Sequence, residues 1–123
     1  MDFNLTINFA ILILLLIVQI IIYPGFRDIP KEKFIKFHKV YTFKISLIVI
    51  PLFIAQIISE FIISKNFSNP IHTIAIILLW LVTFTLAVPC HNKLSKAKHE
   101  KEIEKLIKVN AIRVVLGLLI ILS

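Results

Sequence analysis

The sequence predicts an all-α integral membrane protein, a four-helix bundle of transmembrane helices in antiparallel up-down order. Hydrophobic residues make up 59% of the 123 residues and the mean hydropathy is +0.95, well above the balance typical of soluble domains. The apolar residues form four runs, each near the ~20 residues that a helix needs to cross a bilayer. The runs and their short connections account for the whole chain, which predicts a single transmembrane domain over residues 1–123.

The four predicted spans cover residues 5–23, 41–64, 71–89 and 106–122. The first span is expected to stop at Pro24-Gly25, because this pair favours a turn. Between the first two spans, lysines alternate with aromatic residues, which predicts a basic interfacial segment after helix 1. The charged residues 91–109 predict a helical extension that runs directly into the fourth span.

The net charge of +7 predicts an orientation and no nucleic-acid partner, because the basic residues flank apolar spans. Nearly all of the basic residues lie either directly after the first span or around the start of the fourth span. In a protein with four spans, these two segments lie on the same side of the membrane. The positive-inside rule then predicts a multi-pass protein of the cell membrane with both termini outside the cytoplasm. The single cysteine, Cys90, excludes an internal disulfide, and no metal site is predicted.

Polar residues inside the spans are candidates for function, because each is costly in lipid and usually faces the interior of the bundle. At 100° per residue they share one face on the second, third and fourth spans, and the densest group falls in the predicted cytoplasmic half. The predicted catalytic residues are His38, His91 and Arg113. The predicted ligand-binding residues are Gln19, Tyr41, Trp80, Thr83 and Asn110. His72 is predicted to be an ordinary loop residue.

The chemistry of these residues predicts proton transfer. A histidine has a pKa near neutral and can accept a proton from a phenolic or quinol ligand, while Arg113 could stabilise the resulting oxyanion. The geometry also leaves open a haem held between His38 and His91. No cofactor is selected by the spacing.

Part of the C-terminal third resembles a known family. Thr83, Val88-Pro89, Leu94 and Asn110-Ala-Ile-Arg113 follow the pattern Thr…Asn-Val-Pro-x-Asn-x-x-Leu…Trp-x-x-x-Asn-x-x-Arg of the anthrone oxygenase-like family of four-span membrane proteins. Ala87 and His91 replace the two asparagines around Val-Pro, and no tryptophan precedes Asn110. The resemblance implies the four-helix fold, a shared constellation of Thr83, Pro89, Asn110 and Arg113, and the oxidation of anthrones by dioxygen that fungal members perform.

Three functions therefore compete. The first is an oxidoreductase or oxygenase acting on a small hydrophobic phenolic or quinone-like ligand. The second is a binding or accessory subunit without chemistry of its own, whose polar residues only hold the helices together. The third is a small proton- or cation-coupled carrier that uses Glu60. The expected partners are the lipid bilayer and a small hydrophobic ligand, and a homo-oligomer is compatible with each reading.

Overall fold

The computed structural model describes residues 2–63 and 69–123, which are helical almost throughout. The protein is all-α, with 91% helix and no strand in the described residues. These residues form four long helices, α1 Phe3–Asp28, α2 Lys31–Ile63, α3 Pro70–Leu94 and α4 Glu100–Leu122. The first three are long and apolar enough to cross a membrane, so the prediction of a helical membrane protein is supported.

Two helices begin with side-chain caps that the sequence supplies. The Asp2 carboxylate accepts a hydrogen bond from the Leu5 N–H at 2.7 Å, and the Asn69 side chain accepts one from the His72 N–H at 3.3 Å. Such caps satisfy N–H groups that the first turn leaves without helical partners. Pro70 occupies the first position of α3, where its missing N–H costs nothing.

Each of the first three helices contains one wider π turn, over Val18–Ile22, Ser59–Ile63 and Thr83–Ala87. The first and third lie just before Pro24 and Pro89, respectively. A proline lacks an N–H and crowds the carbonyl four residues earlier, and a π turn accommodates this by bonding to the fifth residue back, as the Tyr23 N–H does with the Val18 carbonyl.

The helices are therefore longer than the predicted spans. Pro24-Gly25 was expected to stop α1, but Gly25 has helical angles and the helix continues as a short 3₁₀ turn to Asp28. The third helix passes Pro89 in the same way and ends at Leu94. The expectation that Pro24-Gly25 stops the first helix is wrong, because the π turn absorbs the disruption. The connection between the second and third predicted spans, residues 65–70, lies mostly outside the described residues.

Helix α4 packs against both α1 and α3 along most of its length. Gly117 permits a close approach to α1, since a Cβ at this position would lie 3.1 Å from Leu12 Cδ1. One hydrophobic core lies around Phe26, Phe34 and Leu106, and a second lies around Ile76, Leu79 and Ile120.

The two ends of the molecule differ in charge, and we name them by what they contain. The basic end holds residues 24–44 and 91–108, and the terminal end holds both chain termini. At the basic end Arg27 donates two hydrogen bonds from Nε, at 3.0 and 3.2 Å, and one from its terminal nitrogen, at 2.7 Å, to the Glu104 carboxylate. These bonds lower the pKa of Glu104 and tie the end of α1 to the start of α4.

Candidate functional site

A cavity of about 260 Å³ lies between α1, α2 and α3 on the side of the basic end, with Arg113 of α4 reaching it from behind. Just over half of the residues in its wall are aliphatic, and the others carry polar groups. This combination is typical of sites for small hydrophobic ligands. The polar or hydrogen-bonding residues that line it are Tyr23, Tyr41, Thr42, Ser46, Thr83, His91 and Arg113.

A chain of hydrogen bonds leads from the cavity into the protein. The Tyr23 hydroxyl lies 3.0 Å from His91 Nε2, and His91 Nδ1 lies 2.9 Å from His38 Nε2. Tyr23 and His91 line the cavity, whereas His38 is completely buried and stacks against Phe34. Three residues from three helices thus form one continuous path for a proton.

The chain has two arrangements that differ only in where the protons sit. If His38 Nε2 donates to His91 Nδ1, then His91 Nε2 carries a proton and donates to the Tyr23 oxygen. If His91 Nδ1 donates instead, then His91 Nε2 accepts from the Tyr23 hydroxyl, because a neutral imidazole has one donor and one acceptor. His38 Nδ1 has no hydrogen-bond partner among the described residues, so it ends the chain.

Arg113 provides a positive charge without a matching negative one. Among the described residues no carboxylate lies within 4.0 Å of its guanidinium, and its Nε is buried without a hydrogen-bond partner. Side chains on a helix lean toward the N-terminus, which for α4 is the basic end. The guanidinium accordingly reaches back to interact with the Tyr23 hydroxyl.

Asn110 lies beside this site but does not line the cavity. Its side-chain amide donates to the Leu15 carbonyl at 3.1 Å and to Gln19 Oε1 at 2.9 Å. Gln19 is thereby used to hold α1 to α4, and neither side chain lines the cavity. The Asn110 carbonyl oxygen is buried without a hydrogen-bond partner among the described residues.

The remaining predicted ligand residues separate into two groups. Tyr41 and Thr83 line the cavity, although the Thr83 hydroxyl donates to the Leu79 carbonyl within its own helix. Trp80 lies outside the cavity, where its indole N–H donates to Gln56 Oε1 at 2.5 Å. The structure therefore brings together His38, Tyr41, Thr83, His91 and Arg113, and places Trp80 in a small adjoining cavity that Arg113 also lines.

A second polar cluster lies at the terminal end and is built around Glu60. The carboxylate accepts from Asn4 Nδ2 at 3.1 Å and from the Thr73 hydroxyl at 2.7 Å, and it lies 3.2 Å from His72 Nε2. Both Glu60 and His72 are buried. The network continues through Asn8 to Gln56 and Trp80.

This cluster overturns the prediction for His72. The residue was expected to be a loop residue, but Asn69-Pro70 starts α3 before it, so His72 lies in the first turn and faces the bundle. Its Nδ1 lies 3.0 Å from the Ser123 hydroxyl and 3.1 Å from the Ile120 carbonyl. It thereby joins α3 to the end of α4 as well as to Glu60.

A haem does not fit between His38 and His91. In a bis-histidine haem, one ring nitrogen of each histidine points to the iron from opposite faces of the porphyrin. Here the facing nitrogens bond to each other at 2.9 Å, and the other His91 nitrogen meets Tyr23. Within residues 2–63 and 69–123, no three histidine, cysteine or acidic side chains are grouped to hold a metal ion.

The candidate set omitted further polar residues of the cavity wall and of the Glu60 cluster, namely Tyr23, Thr42, Ser46, Asn4, Asn8, Gln56, Ser59, His72 and Thr73. Tyr23 precedes Pro24 at the end of a predicted span, which favoured an interfacial position. The sequence signal for Tyr23 was the adjacent Pro24, because a proline disrupts the helical hydrogen bonds before it and favours a π turn there, and π turns are frequent at functional sites. The signal for His72 was Asn69-Pro70, a cap followed by a proline at the first helical position.

The described residues thus form a helical protein with three helices long and apolar enough to cross a membrane and an amphipathic cavity between them. Comparison of the chain with models of known protein families, with the curated proteins and with the solved structures finds no match.

Proposed function

We propose that the chain is an oxidoreductase of the oxygenase type that binds a small hydrophobic phenolic or quinone-like molecule in the cavity and removes a proton from it. The observation that carries this proposal is the Arg113 cation, which no carboxylate matches among the described residues, beside the hydrogen-bonded chain Tyr23–His91–His38. Arg113 is half-buried within an apolar helix and its Nε is fully buried, and an arginine placed in this way without an anion is costly in a membrane. A ligand that becomes an anion when bound would supply the missing charge.

The proton would leave along the hydrogen-bonded chain. A ligand hydroxyl, or an acidic C–H beside a carbonyl, gives its proton to the Tyr23 oxygen while Tyr23 passes its own proton to His91 Nε2. His91 can then release a proton from Nδ1 to His38 Nε2. The negative charge stays on the ligand oxygen, where Arg113 stabilises it as a fixed cation in a site that excludes water.

The resemblance to the anthrone oxygenase-like family suggests the reaction that follows. An anthrone methylene loses its two hydrogens, one atom of dioxygen becomes the new carbonyl oxygen, and the other atom leaves as water. Thr83 and Arg113, two residues of the family pattern, line the cavity, and Pro89 follows the π turn that shapes its α3 wall. These placements support the family assignment as a proposal.

We further propose an up-down bundle in the cell membrane, with the basic end in the cytoplasm and α4 as the fourth span. Arg27–Glu104 joins α1 to α4 at the basic end, whereas Asn69–Ser123 joins α3 to α4 at the terminal end. Such contacts are compatible with neighbours running in opposite directions. The start of α2 would then be the interfacial segment, and the start of α4 the charged extension.

The ligand's ionisation tests the function. A nitrophenol absorbs at longer wavelength when ionised, so its apparent pKa can be read in liposomes that contain the protein. We expect the wild type to lower that pKa by about one unit, equivalent to ~1.4 kcal/mol, and Arg113→Gln to abolish the shift. Lys108→Gln, which removes an exposed charge from the same helix, is the matched control. An unshifted pKa, or a shift retained in Arg113→Gln, would contradict the proposal.

Oxygen uptake with an anthrone separates the oxygenase from a binding subunit. We expect uptake that requires His91, so that His91→Gln consumes oxygen more slowly while still binding the nitrophenol. Ionisation without any uptake by the wild type would favour the accessory alternative. The carrier alternative predicts instead that Glu60→Gln abolishes a proton-dependent flux, although in the structure both Glu60 oxygens are already engaged by neighbouring side chains.

A further inference from the structure

The cavity is elongated and has two chemically different ends. Along α2 its lining runs from Tyr41 to Ile50, nine residues or ~14 Å at 1.5 Å per residue. The hydrogen-bonding groups of Tyr23, Tyr41 and His91 lie toward the basic end. The opposite end is mostly aliphatic, with residues such as Leu14 and Val49. The hydroxyls of Ser46 and Thr83 in this part of the wall already donate to backbone carbonyls of their own helices. A ligand that fills the cavity therefore needs a polar head and an apolar continuation.

The cavity also has an opening, and the exposed residues of its wall show where it lies. Most lining residues are partly or fully buried, but Ile50 of α2 is 54% exposed and Val88 of α3 is 38% exposed. Helix α4 packs against α1 and α3, so Arg113 forms the back wall. The rim residues therefore place the opening between α2 and α3, on the surface that faces lipid.

Side-chain contacts frame this opening at both ends. Toward the basic end α2 and α3 meet at the bond between His38 and His91. Toward the terminal end they meet where Phe53 packs against Trp80, with ring centroids 4.2 Å apart. Between these contacts lies a lateral window at the depth of the apolar spans.

We infer that the ligand is a phenolic amphiphile with a long hydrocarbon chain, held with its hydroxyl at Tyr23 and Arg113 and its chain lying through the window into the bilayer. This inference rests on the proposed function, because it assigns the ligand's head to the same polar groups. The inference adds two points to the proposed function. The ligand enters from the lipid phase, and the length of its hydrocarbon chain is not limited by the volume of the cavity.

Two probes and two pairs of variants test the window. The probes are 2-methyl-4-nitrophenol, small enough for the cavity alone, and 2-dodecyl-4-nitrophenol, whose chain needs the window. Binding in liposomes is measured by quenching of Trp80, the single tryptophan, and ionisation is measured separately by absorbance. The variants Ile50→Phe and Val88→Phe add bulk at the rim and leave Trp80 as the single tryptophan.

The controls are matched in helix and exposure. Ile54→Phe on α2 and Leu86→Phe on α3 alter residues that are 50% and 37% exposed but do not line the cavity. We expect the rim variants to weaken binding of the dodecyl probe about tenfold, or ~1.4 kcal/mol, and to change binding of the methyl probe much less. The controls should bind both probes as the wild type does.

Each outcome has a separate meaning. If wild type binds and ionises the methyl probe but excludes the dodecyl probe, or if the rim variants bind the dodecyl probe normally, the window is refuted and the proposed function survives. If both probes bind through the window without ionising, the proposed proton transfer fails and the window survives. If neither probe binds, both are wrong.

Discussion

Glu60 is predicted to hold the terminal end of the bundle together, and its removal should be costly. In Glu60→Ala three contacts disappear, those from Asn4, His72 and Thr73. Interhelical hydrogen bonds in membrane proteins average about 0.6 and reach about 1.7 kcal/mol. Three of them give a loss of roughly 2–5 kcal/mol in the free energy of unfolding. Glu60→Gln keeps the size and an acceptor oxygen, so it should lose about 1 kcal/mol.

The assay is reversible unfolding in mixed micelles, followed by circular dichroism, with Glu32→Ala as the control. Glu32 is exposed in the first turn of α2, so its loss should leave the unfolding free energy nearly unchanged. The reasoning about the cluster would be refuted if Glu60→Ala unfolded at the same denaturant concentration as Glu32→Ala. It would also fail if Glu60→Gln were as unstable as Glu60→Ala, since the size and polarity of the residue would then be irrelevant.

Three further predictions concern packing, charge and topology. Gly117→Ala should be nearly neutral in an unfolding titration. Alanine has the better helix propensity, worth about 1 kcal/mol, and this offsets the 3.1 Å contact that its Cβ would make with the flexible side chain of Leu12. Gly117→Leu should instead cost about 1–3 kcal/mol in the free energy of unfolding, because it overpacks the contact between α1 and α4. The bonds from Arg27 lower the pKa of Glu104 in the folded protein. The pair therefore stabilises the fold at any pH above the pKa that Glu104 has in the unfolded chain, and this stabilisation is lost as the pH falls through its lower pKa in the folded protein. An NMR titration of Arg27→Gln should show the Glu104 pKa rising toward its ordinary value, and an unchanged pKa would contradict the assignment. A reporter active only outside the cytoplasm should be active at either terminus and silent after Lys98, and the reverse pattern would invert the proposed orientation.

The sequence was informative about His38 and His91 because helical periodicity is a strong constraint. The two residues are 53 positions apart, yet each lies on the polar face of an apolar helix at the basic end, and the structure places their ring nitrogens 2.9 Å apart. Arg113 was identifiable for a similar reason, since a charged residue within an apolar run must face the protein interior or water. These placements are geometric, and the functional roles of the residues stay predictions.

Other features depended on details that periodicity does not report. The exact start of α3 decides whether His72 lies in a loop or in the bundle, and helix ends are the least certain part of a sequence prediction. Gln19 and Asn110 were expected at the ligand site because they are polar and close to it. Their bond to each other depends on the packing of α1 against α4, which a single helix pattern cannot reveal.

The π turn at Val18–Ile22 sets the direction in which Tyr23 faces. A π turn is equivalent to one extra residue in an α-helix, and one residue corresponds to about 100° of rotation and 1.5 Å of rise. Deleting Ile20, which faces lipid, would allow a regular helix and turn the Tyr23 hydroxyl about 100° from His91. The end of α1 would then have to rotate as a unit or lose its contact with α4 at Arg27. The position of the phenol in this site is thus encoded in the number of residues before it as much as in their identity.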